Sequence, residues 1–315
     1  MTLLPIQPRK PKALPAGSRV AVIAPASPAD PKETQAGIEE LRRLEFKLVA
    51  GDALSPEGYF AGSLDGRLHQ FHRVCTDPQI SGIIALRGGY GSNYLLADEF
   101  VAYGYSPKVL LGYSDLTSLQ TYLWQYDGWI TFLGPMLAAG LNHGAGVAQG
   151  YDETSLLQAI RNTASGWDVA LQAETIQSGV AEGRLLGGCL TILQATMGTP
   201  WELDTFGAIL VLEDTGIKPF QVDRALMHLL QAEKFRNVRG FLLGDFPNCD
   251  PPAPGSPTVR EVCERILAPL GVPIVYGAPI GHTQRAMLTL PLGVHAKLNA
   301  TGEGTLQVLE PAVME

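Results

Sequence analysis

The chain has 315 residues, 46% of them hydrophobic and 17% charged, which is a globular composition and a length that suggests two domains. Its 23 basic against 31 acidic side chains give a net charge of -8, with no basic run beyond Arg9-Lys10-Pro11-Lys12, and this argues against nucleic acid as a partner. No stretch approaches the roughly 18 consecutive apolar residues of a membrane span, and the four scattered cysteines, Cys75, Cys189, Cys249 and Cys263, form neither a zinc motif nor a disulfide framework and fit the reducing cytoplasm.

Residues 1–16 are rich in proline and basic side chains and lack periodicity, as a loose arm would. The apolar run that follows is too short for a signal peptide and reads as a first strand, Arg19 to Ala24. Pro31 to Leu44 puts Ile38, Leu41 and Leu44 on one face of a charged helix, Lys47-Leu48-Val49 is a short strand, and Leu64 to Val74 is a helix with Leu68, Phe71 and Val74 on one side. Ile80 to Leu86 is a near-continuous apolar strand, broken by Arg87-Gly88-Gly89-Tyr90-Gly91-Ser92-Asn93; helical spacing resumes at Tyr94, Leu95 and Phe100. The apolar run Val109-Leu110-Leu111-Gly112 passes through Tyr113-Ser114-Asp115 straight into helical spacing at Leu116, Leu119, Leu123 and Trp124. Trp129 to Leu133 is another strand and Glu153 to Ile160 another helix. Strands alternating with helices predict an α/β fold, a parallel sheet with helices on both faces and ligands at the carboxyl ends of its strands. The glycine-rich loop and Ser114 both fall at such ends.

A polar, weakly patterned segment over 161–183 is read as the boundary between a domain over 14–165 and one over 180–315. The second half holds Arg184-Leu185-Leu186-Gly187-Gly188, a helix over Leu190 to Met197, a strand from Ala208 to Leu212 running into Glu213-Asp214, and a helix over Phe220 to Ala232. A strand over Val238 to Leu243, a helix over Val259 to Leu267, a short strand over Ile274 to Tyr276 and a hairpin pairing Val294–Leu298 with Thr305–Leu309 complete it.

Three groups at element ends could carry chemistry together. A strand turning sharply into a helix lifts Ser114 out of the backbone and aims the helix's first amides beside its hydroxyl; read by itself, such a serine is more readily a helix cap. Because a serine hydroxyl is a poor nucleophile at neutral pH, it needs a base, and the base needs an acceptor that fixes its tautomer. Glu213 sits where a buried strand surfaces, or is simply an exposed strand-end acid. His282 lies in the Pro/Gly-rich loop Gly277-Ala278-Pro279-Ile280-Gly281-His282, where it is a base or a solvated loop histidine. His69 and His72 read as a solvated helix face, His143 as a loop residue, His228 as half-buried and His295 as one position of a late strand, so no metal site is expected. The Arg87-Gly88-Gly89-Tyr90-Gly91 run matches no nucleotide motif, but its backbone can serve as an oxyanion hole in which the amides of Gly89 and Asp115 face the attacked carbonyl oxygen, each donor being worth roughly 3 kcal/mol.

Taken in order, Ala24-Pro25-Ala26-Ser27, Arg87-Gly88-Gly89-Tyr90-Gly91, Gly112-Tyr113-Ser114-Asp115, Gly187-Gly188-Cys189-Leu190-Thr191, Leu212-Glu213-Asp214, Asp223-Arg224, Pro279-Ile280-Gly281-His282 and Leu290-Pro291-Leu292-Gly293-Val294 resemble blocks of the LD-carboxypeptidases. That serine peptidase family includes muramoyl-tetrapeptide carboxypeptidases and microcin C immunity peptidases. The resemblance implies a triad of Ser114, His282 and Glu213 with an oxyanion hole at the amides of Gly89 and Asp115. It also implies a Rossmann-like N-terminal domain carrying the nucleophile, a smaller C-terminal domain carrying the acid and the base, a homodimer, and neither metal nor cofactor. Cys189 stands where the family is expected to carry Asn.

The leading reading is a cytoplasmic carboxypeptidase that releases the terminal D-alanine of murein tetrapeptide by cutting an L,D bond. The free carboxylate of such a substrate calls for a cationic clamp, for which Arg87 and Arg224 are candidates. One alternative keeps the triad and takes a peptidyl-nucleotide of the microcin C type, with Trp201 stacking on a base or packing between the domains. Another is a binding module without catalysis, which would have no need for a serine elbow, a strand-end Glu and a loop His together.

Overall fold

The structure, a computed structural model, describes residues 6–49, 51, 54–96 and 105–315. In chain order its elements are β1 (Arg19–Ile23), α1 (Pro31–Arg43), β2 (Lys47–Val49), α2 (Leu64–Thr76), β3 (Gly82–Ala85), β4 (Val109–Gly112), α3 (Thr117–Asp127), β5 (Thr131–Leu133), α4 (Glu153–Arg161), β6 (Trp167–Ala170), β7 (Glu174–Gln177), β8 (Gly179–Cys189), α5 (Leu190–Ala195), β9 (Ala208–Glu213), α6 (Pro219–Gln231), β10 (Gly240–Gly244), α7 (Val259–Leu267), β11 (Ile274–Ala278), β12 (Leu290–Leu292), β13 (His295–Ala300) and β14 (Thr305–Val308). The alternation of strand and helix that the sequence predicts builds an α/β protein with two sheets.

The first sheet has the order β12-β5-β4-β3-β1-β2. Its five strands from β2 to β5 run parallel, and every residue of β3 and β4 is buried, as the unbroken apolar runs require of strands covered on both faces. Because β1 connects outward to β2 on one side and β3 connects to β4 on the other, the loops after β1 and β3 meet at the point where the winding reverses, a usual place for a ligand. The second sheet has the order β6-β14-β13-β8-β9-β10-β11-β7, with a parallel centre from β8 to β11 and antiparallel strands at both sides.

Alternation along β9 ties the two sheets together. Ile209 and Val211 join the apolar core that runs into the first sheet, whereas Leu210 and Leu212 pack with α5, α6 and α7. With a period of two, Glu213 falls on the same side as Ile209 and Val211, the side that faces the first sheet.

The structure departs from the sequence reading in two segments and adds one strand that the reading did not assign. The segment 161–183 is not merely a connection: it holds β6, β7 and the start of β8, short strands in which only Trp167 and Val169 alternate inward to give a signal. Leu290-Pro291-Leu292 is a strand, β12, which pairs antiparallel with β5; a proline is tolerated there because β12 is an edge and one of its sides needs no N–H donor. The helical spacing read through Tyr94 and Leu95 becomes a short 3-10 helix over Ser92–Leu96, and Phe100 lies outside the described residues.

Candidate active site

At the end of β4 the backbone passes from an extended Tyr113 (φ -154°, ψ -170°) to Ser114 at φ 66°, a left-handed conformation that costs a residue with a side chain about 1–2 kcal/mol. A single 3-10 turn, Ser114–Leu116, then leads into α3. The glycine-rich loop passes directly over this turn. A Cβ added to Gly88 would sit 2.8 Å from the Ser114 Oγ and 3.6 Å from the Asp115 amide nitrogen, so only glycine permits the approach.

Buried polar groups lock that loop to the serine turn. The Asp115 carboxylate accepts from the Ser92 amide at 2.8 Å, and the Ser92 hydroxyl donates to the Asp115 carbonyl at 2.6 Å and lies 2.7 Å from the Ser118 hydroxyl. Burial raises the pKa of Asp115, against the lowering pull of the Ser92 and Gly91 hydrogen bonds and of Arg67. Arg67, 2% exposed, donates to the carbonyls of Gly62, Pro25 and Gly91 and so joins the loops after β1 and β3. The Ser27 hydroxyl accepts from the Tyr90 amide at 3.2 Å. The sequence reading assigned none of these positioning groups. Arg67 had a signal, because it shares the buried face of α2 with Phe71 and Val74 at helical spacing, where a lone cation must find partners.

Across the cleft Glu213, the last residue of β9, is fully buried rather than an exposed strand-end acid. One of its oxygens, Oε2, accepts from the His282 amide at 2.9 Å and from His282 Nδ1 at 2.7 Å. With Nδ1 as donor, Nε2 is left as the free acceptor of the ring. Burial of the imidazole opposes its charge, but the Glu213 carboxylate, its hydrogen bond and the nearby Asp214 outweigh that, and the pKa of His282 is raised. Tyr113 meets the ring edge-on, with centroids 5.0 Å apart. Gly281, at φ 56°, has no room for a side chain, since a Cβ there would lie 2.3 Å from Glu213 Cδ. The loop carrying His282 is pinned by Asp245, which accepts from Thr283 and from Arg285 at 2.6 Å.

Ser114, His282, Gly88, Gly89, Arg87 and Tyr113 line one cavity of about 260 Å³. Arg224 does not line it: that side chain is exposed on α6, its guanidinium over the Phe220 ring. The Asp115 side chain is turned away to Ser92, which leaves only its backbone for the cleft. Cys189 caps α5, with its amide donating to Thr117 Oγ1 at 3.0 Å; it pairs in register with Glu213, and burial, then Glu213 and Asp214, hold its thiol well above the ordinary range. Trp201 is half-buried against Tyr122, at 6.0 Å. His69, His72, His228 and His295 are exposed, so His228 is not the half-buried residue expected, and none of them lines this cavity. Among the described residues no helix is long and apolar enough to cross a membrane, and no group of three His, Cys, Asp or Glu is placed to hold a metal. A hydroxyl on a strained turn, backbone amides beside it and an imidazole aligned by a buried carboxylate can together perform acyl transfer.

Two family descriptions match the chain: the LD-carboxypeptidase N-terminal domain over residues 20–134 and the LD-carboxypeptidase C-terminal domain over residues 182–298. The probable murein peptide carboxypeptidase of Bacillus subtilis is 36% identical over 310 residues, which span 97% of this chain and 96% of that protein. The murein tetrapeptide carboxypeptidase of Pseudomonas aeruginosa is 29% identical over 275 residues, 85% and 89% of the two chains. Among solved structures, the microcin C7 self-immunity protein MccF in complex with aspartyl sulfamoyl adenosine has a TM-score of 0.88 at 26% identity, covering 97% of this chain and all 100% of its own. The muramoyltetrapeptide carboxypeptidase of Oxalobacter formigenes has a TM-score of 0.80 at 26% identity, covering 95% and 100%.

Proposed function

The chain belongs to the LD-carboxypeptidase family, and from that premise we propose that it is a murein peptide carboxypeptidase using Ser114, His282 and Glu213. The observation that carries the reading is the shared cavity, which is lined by both a serine held at φ 66° and a histidine bonded to a buried carboxylate. Ser114 Oγ attacks the carbonyl of the residue before the terminal D-alanine, and Nε2 of His282 takes the hydroxyl proton. The amides of Gly89 and Asp115 hold the oxyanion. Collapse breaks the C–N bond, His282 returns the proton to the departing amine, and water then cleaves the acyl-serine by the reverse sequence. Glu213 holds the ring in one tautomer and balances its charge. Arg87, exposed on the same cavity, pairs with the terminal carboxylate.

The same reading divides the chain at 14–165 and 180–315, the first part supplying the nucleophile and the second the acid and base, and makes it a cytoplasmic homodimer. The division is supported by β1 to β5 lying in the first part and β8 to β11, β13 and β14 in the second, with β12 alone returning to the first sheet, and the compartment by four buried, unpaired cysteines. A second reading, hydrolysis of a microcin-like peptidyl-nucleotide, is favoured by the similarity to MccF. Incubation with murein tetrapeptide and with an aminoacyl nucleotide, products identified by mass, separates the two. Release of D-alanine from the first alone is the expected result, lost in Ser114→Ala and reduced about 30- to 1000-fold in kcat/KM by amidation of the terminal carboxylate. A non-catalytic binding module would cleave neither substrate and would leave Ser114 unlabelled by a fluorophosphonate.

A further inference from the structure

Arg67 is buried, yet no carboxylate forms an ion pair with it among the described residues. Its Nε donates to the Gly62 carbonyl at 3.1 Å and its Nη1 to the carbonyls of Pro25 at 2.5 Å and Gly91 at 2.8 Å, while its guanidinium lies 4.7 Å from the centre of the Phe60 ring. Gly91, at φ 129°, has no room for a side chain, since a Cβ would lie 2.7 Å from the Phe60 ring and 3.1 Å from Arg67 Nη1. The carbonyl of Gly91 and the amide of Ser92 are the two ends of one trans peptide group. Arg67 holds the oxygen end, and the buried Asp115 carboxylate holds the N–H end at 2.8 Å. Two buried charges of opposite sign are thus joined through a single peptide, whose dipole favours both. Burial lowers the pKa of Arg67, and Asp115 leads the groups that pull it back up, ahead of Glu57 and Tyr94.

In the serine mechanism proposed above, on which this inference rests, negative charge develops against the amides of Gly89 and Asp115. Asp115 brings its own carboxylate to that turn, and a bare anion in a site of low dielectric opposes a second one forming nearby. A cation held one peptide away offsets it. We propose that Arg67 is a positioning residue whose charge, acting through the Gly91–Ser92 peptide, balances the Asp115 carboxylate, so that the oxyanion forms beside a neutral pair rather than beside an uncompensated anion. The charge is what separates this role from bracing the loops, because bracing needs only N–H donors.

Two variants separate the charge from the donors. Arg67→Gln keeps an N–H donor and removes the charge, whereas Arg67→Lys keeps the charge and loses the planar fork. With murein tetrapeptide as substrate, Arg67→Gln should lower kcat about 30-fold with little change in KM, and Arg67→Lys by no more than about threefold. Adding Asp115→Asn to Arg67→Gln removes the uncompensated anion and should raise kcat again by about tenfold, so that the double variant outperforms the single one. A brace without an electrostatic part predicts the opposite, two losses that add. A double variant no faster than Arg67→Gln, or an Arg67→Lys as slow as Arg67→Gln, would overturn the inference and leave the carboxypeptidase reading standing. Should thermal melting show that Arg67→Gln does not fold, Arg67→Lys decides alone: a kcat within about threefold of wild type supports the charge balance, and a loss of about 30-fold overturns it. Wild-type protein that cleaves no tetrapeptide would remove that reading and the inference together.

Discussion

At the scale of single residues, the strain at Ser114 separates activity from stability. Ser114→Gly relieves the left-handed backbone and should raise stability by about 1 kcal/mol while abolishing turnover, whereas Ser114→Ala, which keeps a Cβ, should abolish turnover without that gain; denaturant midpoints distinguish them. Under the triad proposed above, Glu213→Ala and His282→Ala should also lose nearly all turnover, with double variants scarcely worse than singles because members of a triad act as one unit. Only Glu213→Ala should also lower the melting temperature appreciably, since it empties a fully buried position and strips two N–H groups of their acceptor. The raised pKa of His282 fixes the sign of the pH response. A base must be neutral, so kcat/KM should rise with pH through a midpoint above the usual histidine value of about 6.5. Asp214→Asn keeps the acceptor for Thr191 but removes a charge that favours the imidazolium, and should move the midpoint downward.

At the scale of elements, the relevant unit is the lock between the glycine-rich loop and the start of α3. If the Asp115 carboxylate holds the loop that offers the Gly89 amide, Asp115→Ala should lower kcat about 10- to 100-fold with little change in KM. Asp115→Asn, whose amide oxygen can still accept from Ser92, should recover most of it; steady-state kinetics on both variants provide the check. The sequence made the parallel strands legible because β3 and β4 are unbroken apolar runs, and it made Ser114 legible because the run stops at Gly112 and helical spacing resumes at once. It hid β6 and β12: β6 alternates inward only at Trp167 and Val169 within a polar stretch, and Pro291 speaks against a strand until the edge position of β12 is known. His282 could be singled out in its loop, but its bond to Glu213 could not be read. The two are 69 residues apart, and the geometry depends on how β9 and β11 flank β10.

At the scale of the whole molecule, the chain crosses from the second sheet back to the first between β11 and β12, and His282 rides on that crossing. Leu290, fully buried in β12, therefore has two duties. Leu290→Ala should cost about 2–4 kcal/mol in chemical denaturation and should also depress kcat, because the same segment anchors the loop bearing the proposed base. A substitution that only opened a remote core cavity would leave the residual folded protein fully active. The termini are woven in the same way, with Arg9 bridged to Trp129 and Lys12 to Met314. This weave has a consequence on the ribosome. The hydrogen-bonding edge of β5 is made early but covered only when Leu290 to Leu292 emerge, after a wait on the order of ten seconds at usual elongation rates, during which the open edge is a template for mispairing. Under the roles proposed above, Ser114 likewise waits for His282 through most of synthesis, so the nascent polypeptide would remain a latent hydrolase until translation is almost finished.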